Sequence, residues 1–340
     1  GKTIVFEKGE GGGLTSPRLS DQPGIYRVAA TGSPMERIAK GGTAPHFGNS
    51  NDRVFYTESG PNKRLLVSAD LSGGAKRTHA SGELTTIYEV SPDGTNFAFR
   101  QNYEAFVMPL MPGTQEVSAS PSGGPLPVTK VSSGGADYMH WSNDGNTLHW
   151  ALGPTLYSAQ TNAFFPNSPL ANDAKPAKFE PPKTGVSLSM PVTADRPTGL
   201  VAFTGARIVT MADKSGGIID NGVVLVENDR IKAVGRAGEL AIPAGAKTVD
   251  VTGKTIIPGL VDAHAHGPHG VDEFAPQQNW VNMLNLAMGI TTRHDPSSSA
   301  STVFPALEMQ RAGLLIGPRT FSTGEIVYGA KAADVYAEIN

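Results

Sequence analysis

The sequence predicts a multi-domain, mainly β protein whose last part changes to the alternating strands and helices of a parallel α/β fold. Glycine and proline (40 and 26) make up 66 of the 340 residues, about 19%. The average share is about 12%, so the excess indicates short strands joined by many tight turns. A Ser-x-Asp-Gly turn motif recurs in the first half, and strand and helix patterns alternate after Lys254.

Composition excludes several classes of function. The 28 basic and 31 acidic residues give a net charge of −3, so neither a nucleic-acid partner nor an anionic membrane surface is predicted. The absence of cysteine excludes disulfides, thiolate zinc sites and a cysteine nucleophile, which leaves His and carboxylate side chains as metal ligands. No apolar run approaches the roughly 18 residues of a membrane span, and the first residues show no signal-peptide pattern.

The first half contains a degenerate repeat. Ser91–Gly94 and Ser142–Gly145 each contain an Asp-Gly pair that precedes a β-prone run, and Asn49–Asp52 is a decayed copy. The copies begin at Ser50, Ser91 and Ser142, so their spacings are 41 and 51 residues. A spacing of about 40–45 residues, with about four strands per unit, is typical of a β-propeller blade. The Asp-Gly pair would provide the positive-φ turn between two strands of a blade. The alternative is an unrelated β-sandwich with chance Asp-Gly turns.

Three predicted domains follow from these patterns. Residues 160–195 are rich in proline, which fixes φ and removes a backbone donor, so they predict a linker or a surface strand edge. We therefore expect residues 1–195 to be a partial β-propeller with this linker. Residues 196–257, with a tight turn at Asn228–Asp229, predict a small β-sandwich. Residues 258–340 form the third part.

The strand–helix alternation after Lys254 predicts the beginning of a parallel α/β fold, because its order is βαβαβ. The expected elements are a buried strand at Thr255–Ala263 interrupted by Pro258–Gly259, a helix that Pro276 opens and Gly289 stops, a strand at Ile290–Arg293, a helix that Ser301 caps and that runs through Ala312 to be ended by Gly313, and a strand near Arg319–Ser322.

His264 and His266 are the candidate metal ligands. Because strand side chains alternate, two histidines separated by one residue at a strand end point to the same side and can converge on one cation. The carboxyl end of such a strand is where α/β barrels place their active sites. Taken alone, His-x-His is a weak pattern, and two polar loop residues are the alternative.

The segment Gly253–His266 reads Gly-Lys-Thr-Ile-Ile-Pro-Gly-Leu-Val-Asp-Ala-His-Ala-His. It resembles the N-terminal motif of the metal-dependent amidohydrolase superfamily, and within that superfamily the imidazolonepropionase and prolidase-like branch. Asn221–Gly235 resembles the sandwich strands of that superfamily, and Gly289–Asp295 resembles its second barrel strand. The turn copies at Ser91–Gly94 (Ser-Pro-Asp-Gly) and Ser142–Gly145 (Ser-Asn-Asp-Gly) resemble the Ser-Pro-Asp-Gly repeats of TolB-like propellers. The resemblance implies that 258–340 is the N-terminal part of a TIM-like (β/α)8 barrel.

The resemblance also implies a chemistry. His264 and His266 would hold a divalent metal, usually zinc, as one or two ions. The metal would activate water and polarise the carbonyl of a small-molecule or peptide-like amide, whose C–N bond is then hydrolysed. The general-base Asp of the superfamily comes from its eighth barrel strand, which we expect beyond Asn340.

Four further residues are secondary candidates. Asp262 shares the side of the two histidines, where it would orient a ligand or make a structural hydrogen bond. His269 would be either a substrate contact or a solvated loop histidine. His294 and Asp295 end the second strand and would face the same rim, unless Asp295 only begins the following loop.

We expect the chain to be an internal fragment, because a barrel needs about 250 residues and only 85 follow from Ile256. The fragment is expected to be catalytically incompetent, although its parent would hydrolyse C–N bonds. Two alternatives stay open: a non-catalytic propeller module that recruits a protein partner, and a deaminase or other hydrolase on the same barrel. The propeller resemblance predicts a periplasmic or secreted protein.

Overall fold

The computed structural model describes residues 1–9, 22–113, 115–165, 178–212, 217–270 and 275–325. The chain divides into two compact units, of which the first ends at Met190 and the second begins at Pro191. Within the described ranges, no helix is long and apolar enough to cross a membrane.

The first unit is built almost entirely from short strands. They are β1 (Thr3–Lys8), β2 (Gly24–Ala29), β3 (Glu36–Ala39), β4 (Thr43–Phe47), β5 (Arg53–Gly60), β6 (Lys63–Asp70), β7 (Arg77–Gly82), β8 (Thr85–Val90), β9 (Asn96–Gln101), β10 (Glu104–Pro109), β11 (Val117–Ser118), β12 (Thr129–Lys130), β13 (Asp137–Trp141), β14 (Thr147–Leu152), β15 (Thr155–Gln160) and β16 (Val186–Ser187).

These strands form separate sheets that follow one another along the chain. Their strand orders are β1-β2-β3, β11-β7-β6-β5-β4, β12-β10-β9-β8 and β13-β14-β15-β16. The short strand β11 pairs with β7 in parallel, and the main strands within each sheet pair antiparallel. The prediction of a mainly β chain with short strands and tight turns is confirmed.

The repeated turn motif has the same geometry in two of its copies. Ser91 and Ser142 each begin a turn, between β8 and β9 and between β13 and β14. The N–H of Gly94 donates to the Ser91 carbonyl at 2.8 Å, and that of Gly145 donates to the Ser142 carbonyl at 2.9 Å. Both glycines have a φ of +71°, a conformation in which a Cβ is unfavourable. The two sequence copies therefore encode one local structure.

Apolar clusters join each sheet to the next. On β5, Val54 and Tyr56 face a cluster that includes Ile25 of β2, whereas Phe55 faces the aromatic cluster of the following sheet. Strand alternation explains this division, since neighbouring residues point to opposite faces. A third cluster, around Trp150, lies between the β8–β10 sheet and the β13–β15 sheet. The sheets of the first unit therefore stack face to face in chain order.

His46 of β4 connects two of these sheets. Its Nε2 accepts a hydrogen bond from the Val90 N–H of β8 at 2.8 Å, while Nδ1 donates to the Ala44 carbonyl at 2.9 Å. Both ring nitrogens are used by the neutral tautomer. Burial, aided by the nearby His140, lowers the pKa of His46 to about 4 despite the bond to Ala44.

Replacing His46 with phenylalanine is expected to flatten the pH dependence of stability between pH 6.5 and 4. The unfolded chain takes up a proton on His46 near pH 6.5, whereas the folded chain resists protonation down to about 4. The stability that His46 contributes is therefore present above pH 6.5 and is lost as the pH falls toward 4. Urea unfolding at several pH values measures the two slopes, and equal slopes would contradict the assignment.

The second unit begins with one mixed sheet. Its strands are β17 (Leu200–Val209), β18 (Ile218–Glu227), β19 (Arg230–Arg236), β20 (Lys247–Asp250) and β21 (Thr255–Ile256). The order is β19-β18-β17-β20, and β21 also pairs with β17, so the residues predicted as a small sandwich share a single sheet. The predicted turn at Asn228–Asp229 joins β18 and β19, with Asn228 at a φ of +56°.

A β/α segment follows the mixed sheet. It contains β22 (Leu260–Asp262), α1 (Trp280–Ala287), β23 (Ile290–Asp295), α2 (Ala300–Arg311) and β24 (Arg319–Ser322). The three strands form a parallel sheet in the order β22-β23-β24. Parallel strands that alternate with helices are consistent with the start of a barrel.

The predicted helix ends are confirmed more closely than the predicted starts. Gly289 and Gly313 follow the two helices at φ values of +84° and +80°, as expected for residues that stop a helix. The first helix begins at Trp280, not at Pro276, because the Asn279 side chain accepts hydrogen bonds from the N–H groups of the first turn. The second begins at Ala300, after Ser299.

The predicted strand at Thr255–Ala263 is interrupted around Pro258–Gly259 as expected, but it is not buried and its two parts lie in different sheets. Its first residues form β21 in the mixed sheet, and its later residues form β22 in the parallel sheet. A Cβ on Gly259 would lie 1.9 Å from Thr291 Oγ1, so the intervening backbone passes directly against β23. Leu260 and Val261 are 50% and 68% exposed, since β22 is the outer strand of its sheet as described.

Candidate functional site

His264 and His266 lie just beyond β22, in the turn that follows Asp262. The Asp262 carboxylate accepts a hydrogen bond from the His264 N–H at 3.1 Å and closes this turn. The ring centroids of the two histidines are 5.1 Å apart, with an angle of 68° between the planes. Both rings are exposed to solvent. The two predicted histidines are therefore next to each other. They lie in a turn, whereas the sequence predicted that they would lie at the end of a strand.

A buried carboxylate lies beside this turn. Asp295, at the end of β23, is 1% exposed. Its Oδ2 accepts hydrogen bonds from the Gly267 N–H at 3.0 Å and from His269 Nε2 at 2.7 Å. Its Oδ1 accepts from the Ser297 N–H at 2.9 Å and lies 3.8 Å from His266 Nδ1. Asp295 thus fastens the segment after His266 to the end of β23.

The environment keeps Asp295 ionised and His269 neutral. Burial acts to raise the pKa of Asp295, but the hydrogen bonds from Ser297, Gly267 and His269 together lower it below its usual value. Burial lowers the pKa of His269, and this effect outweighs the opposing bond to Asp295. A neutral His269 that donates from Nε2 leaves its Nδ1 as an acceptor, 3.4 Å from an Arg293 guanidinium nitrogen.

Arg293 holds this group of side chains in place. It is 1% exposed and donates to Asn282 Oδ1 of α1 at 2.6 Å and to Thr320 Oγ1 of β24 at 2.9 Å. Arg293 was not among the site residues predicted from the sequence. Arg293 precedes Asp295 by two residues, and in a strand this spacing puts both side chains on one face. That spacing is the sequence signal that could have indicated Arg293.

The remaining predicted residues have structural contacts. The main-chain carbonyl of His294 accepts from the Ala265 N–H at 2.8 Å, and alternation along β23 puts its side chain on the face opposite Asp295. The structure therefore brings His264, His266, His269 and Asp295 together but leaves the side chain of His294 apart from them. His269, expected either at the substrate or in solvent, is instead buried against Asp295.

Two neighbouring imidazoles are suitable donors for zinc, which usually takes four ligands. Throughout the ranges that the structure describes, however, no group of three or more His, Asp or Glu side chains is arranged to hold a metal ion. His264 and His266 could therefore supply at most two of the four ligands of such a site.

Part of the chain is similar in sequence to known proteins. No protein-family model matches the chain. It is 45% identical over 62 residues to a dihydroorotase of Trichlorobacter lovleyi, a match that covers 18% of this chain and 13% of that protein. It is 31% identical over 137 residues to an imidazolonepropionase of Erwinia tasmaniensis, a match that covers 38% of this chain and 34% of that protein.

The chain thus spans about a third or less of the length of these curated relatives. Among solved structures, phenylurea hydrolase B is 27% identical, covers 38% of this chain and 31% of its own, and has a TM-score of 0.31, too low to support an argument about the fold. Over about a third of its length, this chain is related to the hydrolases of the amidohydrolase superfamily.

Proposed function

We propose that this chain is part of a metal-dependent hydrolase that cleaves the C–N bond of an amide, cyclic amide or peptide-like substrate. The observation that carries the proposal is the adjacent pair His264 and His266, which directly follows the first parallel strand of the β/α segment. The sequence relation to a dihydroorotase and to imidazolonepropionases supports the same class of chemistry.

The two rings would provide imidazole nitrogens to one divalent ion, of which zinc is the best match to a histidine donor set. Bound zinc provides a Lewis acid and lowers the pKa of a coordinated water toward 7. The protein's own part is to hold the donors: Asp262 closes the turn at His264, and Asp295 fixes the segment after His266.

Zinc titration of the 340-residue chain tests the proposal. We expect the chain to bind zinc, and the double variant H264A/H266A to lose that binding, because the two imidazoles are the donors. A matched control is H140A/H149A, which removes a cross-strand pair of histidines on β13 and β14. Isothermal titration calorimetry measures all three proteins. Loss of binding in the control, with retention in H264A/H266A, would refute the proposed site.

We also propose that the 340-residue chain does not itself catalyse the hydrolysis. Two imidazoles fill half of a tetrahedral zinc site, so we expect zinc binding without turnover. A panel of amide and cyclic amide substrates, assayed with added zinc, measures turnover. Hydrolysis above background that disappears in H264A/H266A would overturn the incompetence while supporting the class of reaction.

The same proposal takes the sheets of the first unit as part of a β-propeller that can bind a protein partner. Its support is the repeated turn and the face-to-face stacking of successive antiparallel sheets. The propeller resemblance is also the basis for proposing a periplasmic or secreted location. Fractionation of cells that express the full gene tests the location, and a purely cytoplasmic product would contradict it.

A further inference from the structure

Among the described residues, three N–H donors bond to the Asp295 carboxylate. An ionised carboxylate offers about four acceptor positions. Gly267 and His269 occupy two of them on Oδ2, and Ser297 occupies one on Oδ1. His266 Nδ1 lies 3.8 Å from Oδ1, slightly beyond hydrogen-bond distance. A small rotation of the exposed His266 ring would bring its Nδ1 within reach of the remaining position.

Asp295 itself has little freedom to move toward His266. His269 donates to Oδ2 at 2.7 Å, and Arg293 contacts His269 from the other side at 3.4 Å. Arg293 is in turn bonded to Asn282 of α1 and to Thr320 of β24. The carboxylate is therefore fixed by contacts to two other elements, and the exposed ring is the partner that adjusts.

We propose that Asp295 is a positioning residue for His266: it accepts the Nδ1–H of His266 and so leaves Nε2 of that ring for the metal ion. This inference rests on the proposed function. A neutral imidazole carries one proton, so a carboxylate beside Nδ1 selects the tautomer whose Nε2 is free. Metal-binding histidines commonly donate their second ring nitrogen to a carboxylate in this way, which orients the ring.

The inference assigns different roles to the two carboxylates near the site. Asp262 accepts from a main-chain N–H and shapes the turn at His264. Asp295 acts on the His266 ring itself. Removal of the Asp295 charge should therefore change the protonation pattern of one imidazole, whereas removal of an unrelated structural carboxylate should not.

Nitrogen-15 NMR of the histidine rings of the 340-residue chain tests the inference without any metal. At about pH 8.5, where an ordinary imidazole is neutral, we expect His266 to be mainly the Nδ1–H tautomer. D295N should shift it toward Nε2–H and weaken zinc binding about 10–100-fold. The matched control is D250N, because Asp250 closes an exposed turn through Thr252 in the same unit. It should change neither property.

The outcomes separate the inference from the proposed function. A wild-type His266 that is mainly Nε2–H would overturn the inference, and this measurement needs no variant, so it stands even if D295N fails to fold. An unchanged His266 tautomer in folded D295N would also overturn it. Absence of zinc binding by the wild-type chain would instead overturn the proposed function, because the tautomer is read without zinc.

Discussion

Replacement of Arg293 by methionine is expected to cost the second unit about 1.5–3 kcal/mol of unfolding free energy, the usual contribution of a hydrogen bond that involves a charged group. Arg293 and Asp295 are each 1% exposed and share one face of β23. Without the guanidinium, the Asp295 carboxylate loses a neighbouring positive charge, and Asn282 and Thr320 lose a donor. Methionine keeps most of the volume, so a cavity contributes little.

Urea unfolding followed by far-UV circular dichroism measures this loss. R319M is the matched control, because Arg319 is an exposed arginine on the neighbouring strand β24. Substitutions at such surface positions usually change stability by about 0.5 kcal/mol or less. If the two variants were equally stable, Arg293 would not hold the group together as described.

Replacement of Trp150 by alanine is expected to destabilise the first unit by about 3–5 kcal/mol. Trp150 is 2% exposed, belongs to the cluster with Trp141 and Leu148, and stacks on Tyr157 with ring centroids 6.0 Å apart. Removal of the indole takes away its buried apolar area and leaves a cavity, since close-packed neighbours relax only partly.

W280A is the matched control, because Trp280 of α1 is 53% exposed. Removal of a half-exposed indole should have a much smaller effect than removal of a buried one. Thermal and urea unfolding followed by far-UV circular dichroism compare the two variants without relying on tryptophan fluorescence. If W150A cost no more stability than W280A, burial of the Trp150 indole would not have the stabilising effect described.

Local patterns in the sequence predicted many elements correctly, because those elements depend on nearby residues. The Asp-Gly turns at Ser91 and Ser142 take the expected positive-φ form, since glycine adopts it without a steric penalty. Asn228 turns the chain between β18 and β19 for a similar reason. The third parallel strand was expected near Arg319–Ser322 and has those bounds.

Predictions that depended on distant contacts were less successful. The segment Thr255–Ala263 has the apolar pattern of one buried strand, yet it is divided between two sheets. That division depends on which strands lie beside it: β17 pairs with its first residues, whereas β23 pairs with its last. Periodicity along the segment carries no information about these partners. Asn279, not Pro276, similarly sets the start of α1 through its side-chain hydrogen bonds.

By itself the sequence predicted the short-stranded β character of the first unit, the βαβαβ order of the last segment and the closeness of His264 and His266. These depend on composition, on turns and on spacing over a few residues. Only the tertiary structure decided that His269 is buried against Asp295 and that Arg293 supports both. Those contacts join residues up to 26 positions apart. They form because β22 and β23 pair in parallel, which brings the loop that follows β22 beside the end of β23.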